Sequence, residues 1–141
     1  MAFGSTFEND LAKLIFQATA IANIADNAAS SPLTSLYLSL HTADPSGGNQ
    51  TTSEVSYTSY ARVAVVRTGS GWTVTGNVVS PTSSIAFPAA TGGSGTATHA
   101  AVGTAASGSG KVLVAGPITP NIPYSTGTTP TLDVGSTITL T

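Results

Sequence analysis

His41 and Asp44 stand three positions apart in a chain rich in serine, so the inventory for a Ser–His–Asp relay is present. Such a relay also needs a positioned nucleophile and an oxyanion hole. No Gly-x-Ser-x-Gly elbow occurs where a strand would turn into a helix. The expectation for His41 is therefore structural: an imidazole at a strand end, hydrogen-bonded to the turn that follows. Gly108-Ser109-Gly110-Lys111 has part of a phosphate-binding loop. The full pattern wants an earlier Gly and a Ser or Thr after the Lys, where this chain has Ala105 and Val112, so a hairpin turn is expected. His41 and His99 are the only imidazoles and have no i,i+4 partner. Asp44 with Asp26, Glu54 or Asp133 does not form a spaced calcium loop. Asn49-Gln50-Thr51 matches a glycosylation acceptor, too short a pattern to carry weight without a secretory signal. No catalytic residue, metal ligand or cofactor-binding residue is assigned, no cofactor is expected, and the chain is read as not an enzyme.

Trp72, Tyr57 and Tyr60 admit two readings. On exposed loops such rings can bind sugar; on alternating strands they fill a core or an inter-subunit seam, which is the expectation here.

Composition narrows the partners. The chain has 141 residues, of which 7% are charged, with a formal net charge of −2. An average soluble domain carries roughly 25% charged residues. Lys13, Arg62, Arg67 and Lys111 are the only cations and are scattered along the sequence. Neither the basic stripe of a nucleic-acid binder nor the basic face of a membrane-surface helix can be built from them. With 40% hydrophobic residues and little charge, the chain does not have the composition of a disordered one. The absence of Cys excludes a disulfide framework or thiolate metal site. A surface of Thr, Ser, Gly and Ala, with little charge to keep copies apart, suits a protein partly covered by neighbours. No basic start of a signal peptide and no run of about 18 apolar residues is present, so a soluble protein is expected.

The elements that must position these residues follow from periodicity. Phe3, Phe7, Leu11, Leu14, Ile15, Ala18, Ile21 and Ile24 recur in steps of three and four, which predicts a helix over about 6–25. Ser5 with Glu8 forms a capping-box pattern at its start, and Asp26 through Pro32 supply stop signals. After Pro32 the period becomes two: Leu36, Leu38 and Leu40 point one way, and Tyr37, Ser39 and His41 the other. Residues 42–56 read as a loop. Further strands are expected at 60–68, 72–75, 78–80, 84–87, 97–104, 111–115 and 137–140, separated by Gly and Pro clusters. Residues 116–130 carry Pro117, Pro120, Pro123 and Pro130 and read as an extended arm or edge segment. The expected fold is one domain over 1–141: a mainly β, antiparallel sandwich or jelly-roll-like β-domain over 33–141 with one N-terminal α-helix.

Leu36-Tyr37-Leu38-Ser39-Leu40-His41-Thr42-Ala43-Asp44-Pro45, then Gly48 through Tyr57, then Tyr60-Ala61-Arg62-Val63-Ala64-Val65, resemble a family of small tailed-bacteriophage virion proteins. Its signature is LHTADPG…NQTTSE…Y..YAR..V, and the likeness extends past Trp72 into 96–104 and 110–116. Ser46 stands where the family usually has Gly. Members are labelled capsid decoration, tail-fibre or minor tail proteins, and no catalytic residue comes with the resemblance. It implies a virion structural protein. The leading expectation is a decoration protein in many copies on the outer surface of the head, contacting the major capsid protein and copies of itself. The alternative is a tail-fibre or baseplate component; a carbohydrate-binding module contacting host glycan is the third. The expected structural signature comprises His41, Asp44, Pro45, Glu54, Tyr57, Tyr60, Arg62 and Trp72. Within it, Asp44-Pro45 turns the chain, and a partly buried Glu54–Arg62 ion pair sets the loop's register.

Overall fold

The computed structural model describes residues 5–21 and 32–140. The fold class is the expected one, mainly β with antiparallel sheets and one short N-terminal helix. The chain divides into two compact units. One takes in the described parts of Met1–Ser35 and Asp133–Thr141 together with Val65–Ser84; the other comprises Leu36–Ala64 and Ile85–Leu132.

In the first unit, helix α1 (Ser5–Gln17) packs on strands β3 (Trp72–Thr75) and β4 (Val78–Pro81). The helix ends well before the expected residue 25; residues 22–25, and the stop signals from Asp26 to Ser31, lie outside the described residues. The stop is made instead at Ala18, which takes a φ of 55°, while the Thr19 amide reaches back to the Lys13 carbonyl at 3.1 Å. That six-residue closure folds the chain back over the last turn as the helix stops. Among the described side chains of the helix, Ala12 and Phe16 are fully buried, one step beyond Leu11 and Ile15, which stay half-exposed. Phe16 meets the Trp72 ring edge-on with centroids 4.8 Å apart. Strands β3 and β4 form a hairpin with Thr75 opposite Val78. Gly76, at a φ of 63°, sits at the first position of its two-residue turn, where only a residue without Cβ is comfortable. Strand β9 (Ile138–Thr139) completes this three-stranded sheet beside β4.

The second unit is built on a four-stranded sheet. Its strand order is β2 (Val63–Val66, which continues into the first unit), β1 (Ser35–His41), β6 (Gly95–Gly103) and β7 (Val112–Tyr124). A short pair of strands, β5 (Ile85–Ala86) and β8 (Thr131–Leu132), lies apart from it. Strand β1 pairs antiparallel with β6, from Tyr37 opposite Gly103 to His41 opposite His99. Leu36, Leu38 and Leu40 are buried, as alternation requires, but Ser39 and His41 on the opposite face are fully buried as well. Both faces of the end of β1 are therefore covered, and its polar side chains must find partners inside the protein.

Strand β7 corrects the expected boundary at Ala115. It runs on to Tyr124 through Pro117, Pro120 and Pro123. A proline cannot donate to a ladder, and the strand tolerates three because it is the outermost of its sheet among the described residues.

Candidate functional site

The residues singled out by type and spacing converge, for the most part, at one end of the second unit. Leu40 sends its backbone away from β6: its carbonyl accepts from the Val55 amide at 3.0 Å, and its amide donates to the Tyr60 hydroxyl at 3.0 Å. The chain leaving β1 thus folds back on itself, with Thr42 N–H donating to the Ser53 carbonyl at 2.8 Å.

His41 sits at that fold. Its Nδ1 lies 2.9 Å from the Thr52 carbonyl, which can only accept, so Nδ1 carries the proton. Nε2 is then the acceptor for the Ser39 hydroxyl, 2.8 Å away. Burial holds the imidazole below the usual histidine pKa; the Thr52 carbonyl and the Glu54 carboxylate work weakly against this. A serine and a histidine are thus in contact, but no relay is assembled. Both side chains are fully buried, and the position of the third member is taken by a backbone carbonyl. Asp44 instead faces solvent, where its Oδ1 accepts from the Ser46 amide at 2.9 Å; that bond holds its carboxyl below the usual range. Pro45 beside it is fully buried, and its carbonyl accepts from Gly48 N–H at 3.0 Å, which closes the turn.

Glu54 and Arg62 form an ion pair with two contacts, Nε to Oε1 at 2.7 Å and Nη2 to Oε2 at 2.7 Å. The arginine side chain is 3% exposed and the glutamate 14%. Arg62 also donates to the carbonyls of Ala105 at 2.9 Å and Gly108 at 2.8 Å, in the connection between β6 and β7. Glu54 Oε1 additionally accepts from the Tyr60 hydroxyl at 3.0 Å. Burial drives the Tyr60 phenol far above its ordinary pKa, so it remains a donor.

Two features lay beyond sequence reasoning. Gln50, in a stretch read as a polar loop, is fully buried. Its backbone N–H donates to the Gly110 carbonyl at 2.9 Å and its side-chain Oε1 accepts from the Ala105 amide at 2.9 Å, while its buried Nε2 has no partner among the described residues. Gly103 and Gly110 flank it so closely that a Cβ at either would collide with the Gln50 side chain. Gln50 is a plug between the end of β6 and the start of β7, admitted because both walls are glycine. The only sequence signal for it was those two glycines, Gly103 inside the expected strand 97–104 and Gly110 in a cluster read as a turn. The Tyr57 ring likewise belongs to a chain of aromatics, with centroids 5.3 Å from Tyr60 and 5.0 Å from Tyr124, while Tyr60 stacks on Phe87 at 6.2 Å. The Tyr57 hydroxyl donates to the Pro88 carbonyl at 2.8 Å.

Trp72 is not part of this cluster. It lies in the first unit, 1% exposed against Phe16, as core. No group of three or more His, Cys, Asp or Glu residues able to hold a metal occurs among the described residues. What the cluster does chemically is fasten: residues 42–55 are bound to β1 by His41 and to the β6–β7 connection by Gln50 and Arg62.

Comparison with known proteins gives one family. The model of a family described as "Podophage GP4 fiber I protein gp80" matches residues 5–140. A search among curated proteins finds no match.

Proposed function

The chain belongs to the podophage GP4 fiber I protein gp80 family, a family of phage virion structural proteins, and from this premise we propose that it is a subunit of the fibre apparatus, with a mechanical rather than catalytic role. The observation that supports the mechanical reading is the cluster around Glu54 and Arg62. Its imidazole, carboxylate and guanidinium groups are committed to other parts of the same chain. Ser39, His41 and Gln50 are fully buried, and the Arg62 guanidinium is spent on one carboxylate and two carbonyls.

Such a cluster fixes a long loop without a metal, a disulfide or a surface rich in charge. A subunit held in an assembly needs its exposed loops to keep one shape, because ordering them on contact would cost binding free energy. The sugar-binding reading is weakened, since Trp72 and Tyr57 are buried and Tyr60 is half-buried with its hydroxyl engaged by Glu54 and the Leu40 amide. The decoration reading shares the mechanical logic and differs in location and number.

Particles carrying the chain with a small C-terminal epitope, imaged by immunogold labelling and counted by quantitative mass spectrometry, test the proposal. Label at the tail and a few to a few tens of copies per particle is the expected result. Hundreds of copies spread over the head would make it a decoration protein contacting the major capsid protein and overturn the fibre reading.

A further inference from the structure

Strand β7 is the last strand of its sheet among the described residues, and the backbone shows which of its polar groups face outward. Both polar groups of Leu40 turn away from β6, so Leu40 and Ala100 form a non-hydrogen-bonded pair. In an antiparallel ladder the polar groups of successive residues alternate sides. Ala100 therefore turns toward β7 and bonds Gly116 opposite it, while the neighbouring pairs, His99 with Pro117 and Ala101 with Ala115, do not exchange hydrogen bonds. Pro117, with no N–H to give, fits that position. It follows that the N–H and C=O of Ala115 point out from the open edge of the sheet.

The rest of the edge is closed to pairing by sequence. Pro117, Pro120 and Pro123 remove donors from its second half. What remains open is a short window, Val112 to Gly116, bounded by Lys111 on one side and Pro117 on the other. It carries none of the charges that normally protect an edge strand.

We propose that Ala115, with Val114 and Gly116 on either side of it, pairs with the same three residues of a second copy of the chain, antiparallel about a two-fold axis through Ala115, the pairing ending where Pro117 of each copy comes opposite Leu113 of the other. The reading deepens the fibre-subunit proposal above by naming a contact through which copies associate. Three observations favour a second copy over a foreign strand. The Ala115 pair is self-complementary, each residue giving its N–H to the other's carbonyl. In this register Val114 of one copy faces Gly116 of the other, and a Cβ built on Gly116 meets nothing within 4 Å, so there is open room for the branched side chain. The only charge nearby, Lys111, is carried to opposite ends of the pair, roughly 27 Å from its counterpart at about 3.4 Å per residue. That is well beyond the screening length of about 8 Å at physiological salt. A parallel pairing in register would set the two ammonium groups side by side.

One short strand pair buries little compared with the roughly 1,200 Å² of a stable specific interface. The dimer of the isolated full chain is therefore weak and concentration-dependent, and gains strength where many copies are held together.

Sedimentation equilibrium of the full chain from micromolar to about millimolar concentration is the test. The expected result is a reversible monomer–dimer equilibrium that Ala115→Pro weakens at least tenfold with the thermal transition unchanged, because residue 115 gives β6 no hydrogen bond. Gly116→Val, which fills the space for Val114 on a strand-compatible residue, gives the same loss should the proline variant fail to fold. The chain has no cysteine, so a nitroxide on Lys111→Cys reports one distance, expected near 27 Å. A wild-type chain that stays monomeric throughout, variants that dimerise as well as wild type, or a label distance under about 15 Å would overturn the proposal. None of these results bears on where the subunit sits in the particle, which the labelling experiment reads separately.

Discussion

Arg62 grips both carboxylate oxygens of Glu54 at 2.7 Å and with the same guanidinium holds the carbonyls of Ala105 and Gly108. One side chain thus ties residues 42–55 to the β6–β7 connection. The pair is nearly closed to water, where a fork-to-fork contact is strong and an unpaired charge is expensive.

Removing either partner is accordingly predicted to cost far more than a surface pair would. Arg62→Ala should lower unfolding free energy by about 3–5 kcal/mol and Glu54→Gln by about 2–3 kcal/mol, measured by urea denaturation. Arg62→Lys restores the charge but cannot reach two oxygens and two carbonyls together, so it should recover less than half of the loss. A Glu54→Gln protein of wild-type stability would reduce the pair to ornament.

His41 gives the molecule an acid dependence of definite sign. Its folded pKa lies below the ordinary 6.5 because burial disfavours the cation. As pH falls through 6.5 the unfolded chain takes up the proton first, so stability declines from there until the folded pKa is passed. The nearby charges are mixed, Glu54 favouring the cation and Arg62 and His99 opposing it. Urea midpoints should fall between pH 7.5 and 5.5, and His41→Gln should flatten that dependence. A wild-type midpoint constant over this range would contradict the buried neutral imidazole.

The Gln50 plug predicts a rescue. Gly103→Ala puts a methyl where the Gln50 side chain lies and should cost about 1–3 kcal/mol as overpacking. Gln50→Ala alone leaves a void and an unpaired Ala105 amide, and should cost a similar amount. The double variant should be more stable than the two losses added together predict, and a double-mutant cycle reads the difference. Strict additivity would mean that the two residues do not meet.

Arg67 caps a helix from outside it. It donates to the carbonyls of Leu14 and Ile15 at the end of α1, and to that of Leu33 at 3.2 Å. The last turn of α1 has no cation of its own. Arg67→Ala removes the guanidinium donors from those carbonyls and a charge favourable to the helix dipole. It should cost about 2–4 kcal/mol and lower the helical signal in circular dichroism, whereas Lys13→Ala should change neither measurably.

Much of the architecture was legible because it rests on local pattern. The period-two run into His41, the Gly and Pro punctuation and the strand at Trp72 each depend on neighbours in sequence. The pairing of Glu54 with Arg62 could be anticipated because the two flank Tyr57 and Tyr60 within a few residues. What was not legible depends on distant contacts. Ala18 stops α1 by a backbone conformation that its side chain does not announce. Phe16 outranks Leu11 as a core residue because of Trp72, 56 positions away. Gln50 is buried because Gly103 and Gly110 open a slot, and nothing in its own segment distinguishes it from a solvated glutamine. Strand β7 passes Ala115 because an edge forgives prolines, and edge status is a property of the sheet.

The distribution of aromatic residues has an optical consequence. The only tryptophan, Trp72, belongs to the first unit, and all four tyrosines, Tyr37, Tyr57, Tyr60 and Tyr124, belong to the second. Indole emission therefore follows one unit and phenol absorbance the other, in the wild-type chain and without any dye. Recorded together during unfolding, the two signals measure the cooperativity of the whole molecule: superimposable transitions mark one thermodynamic body, and separated midpoints give each unit its own free energy.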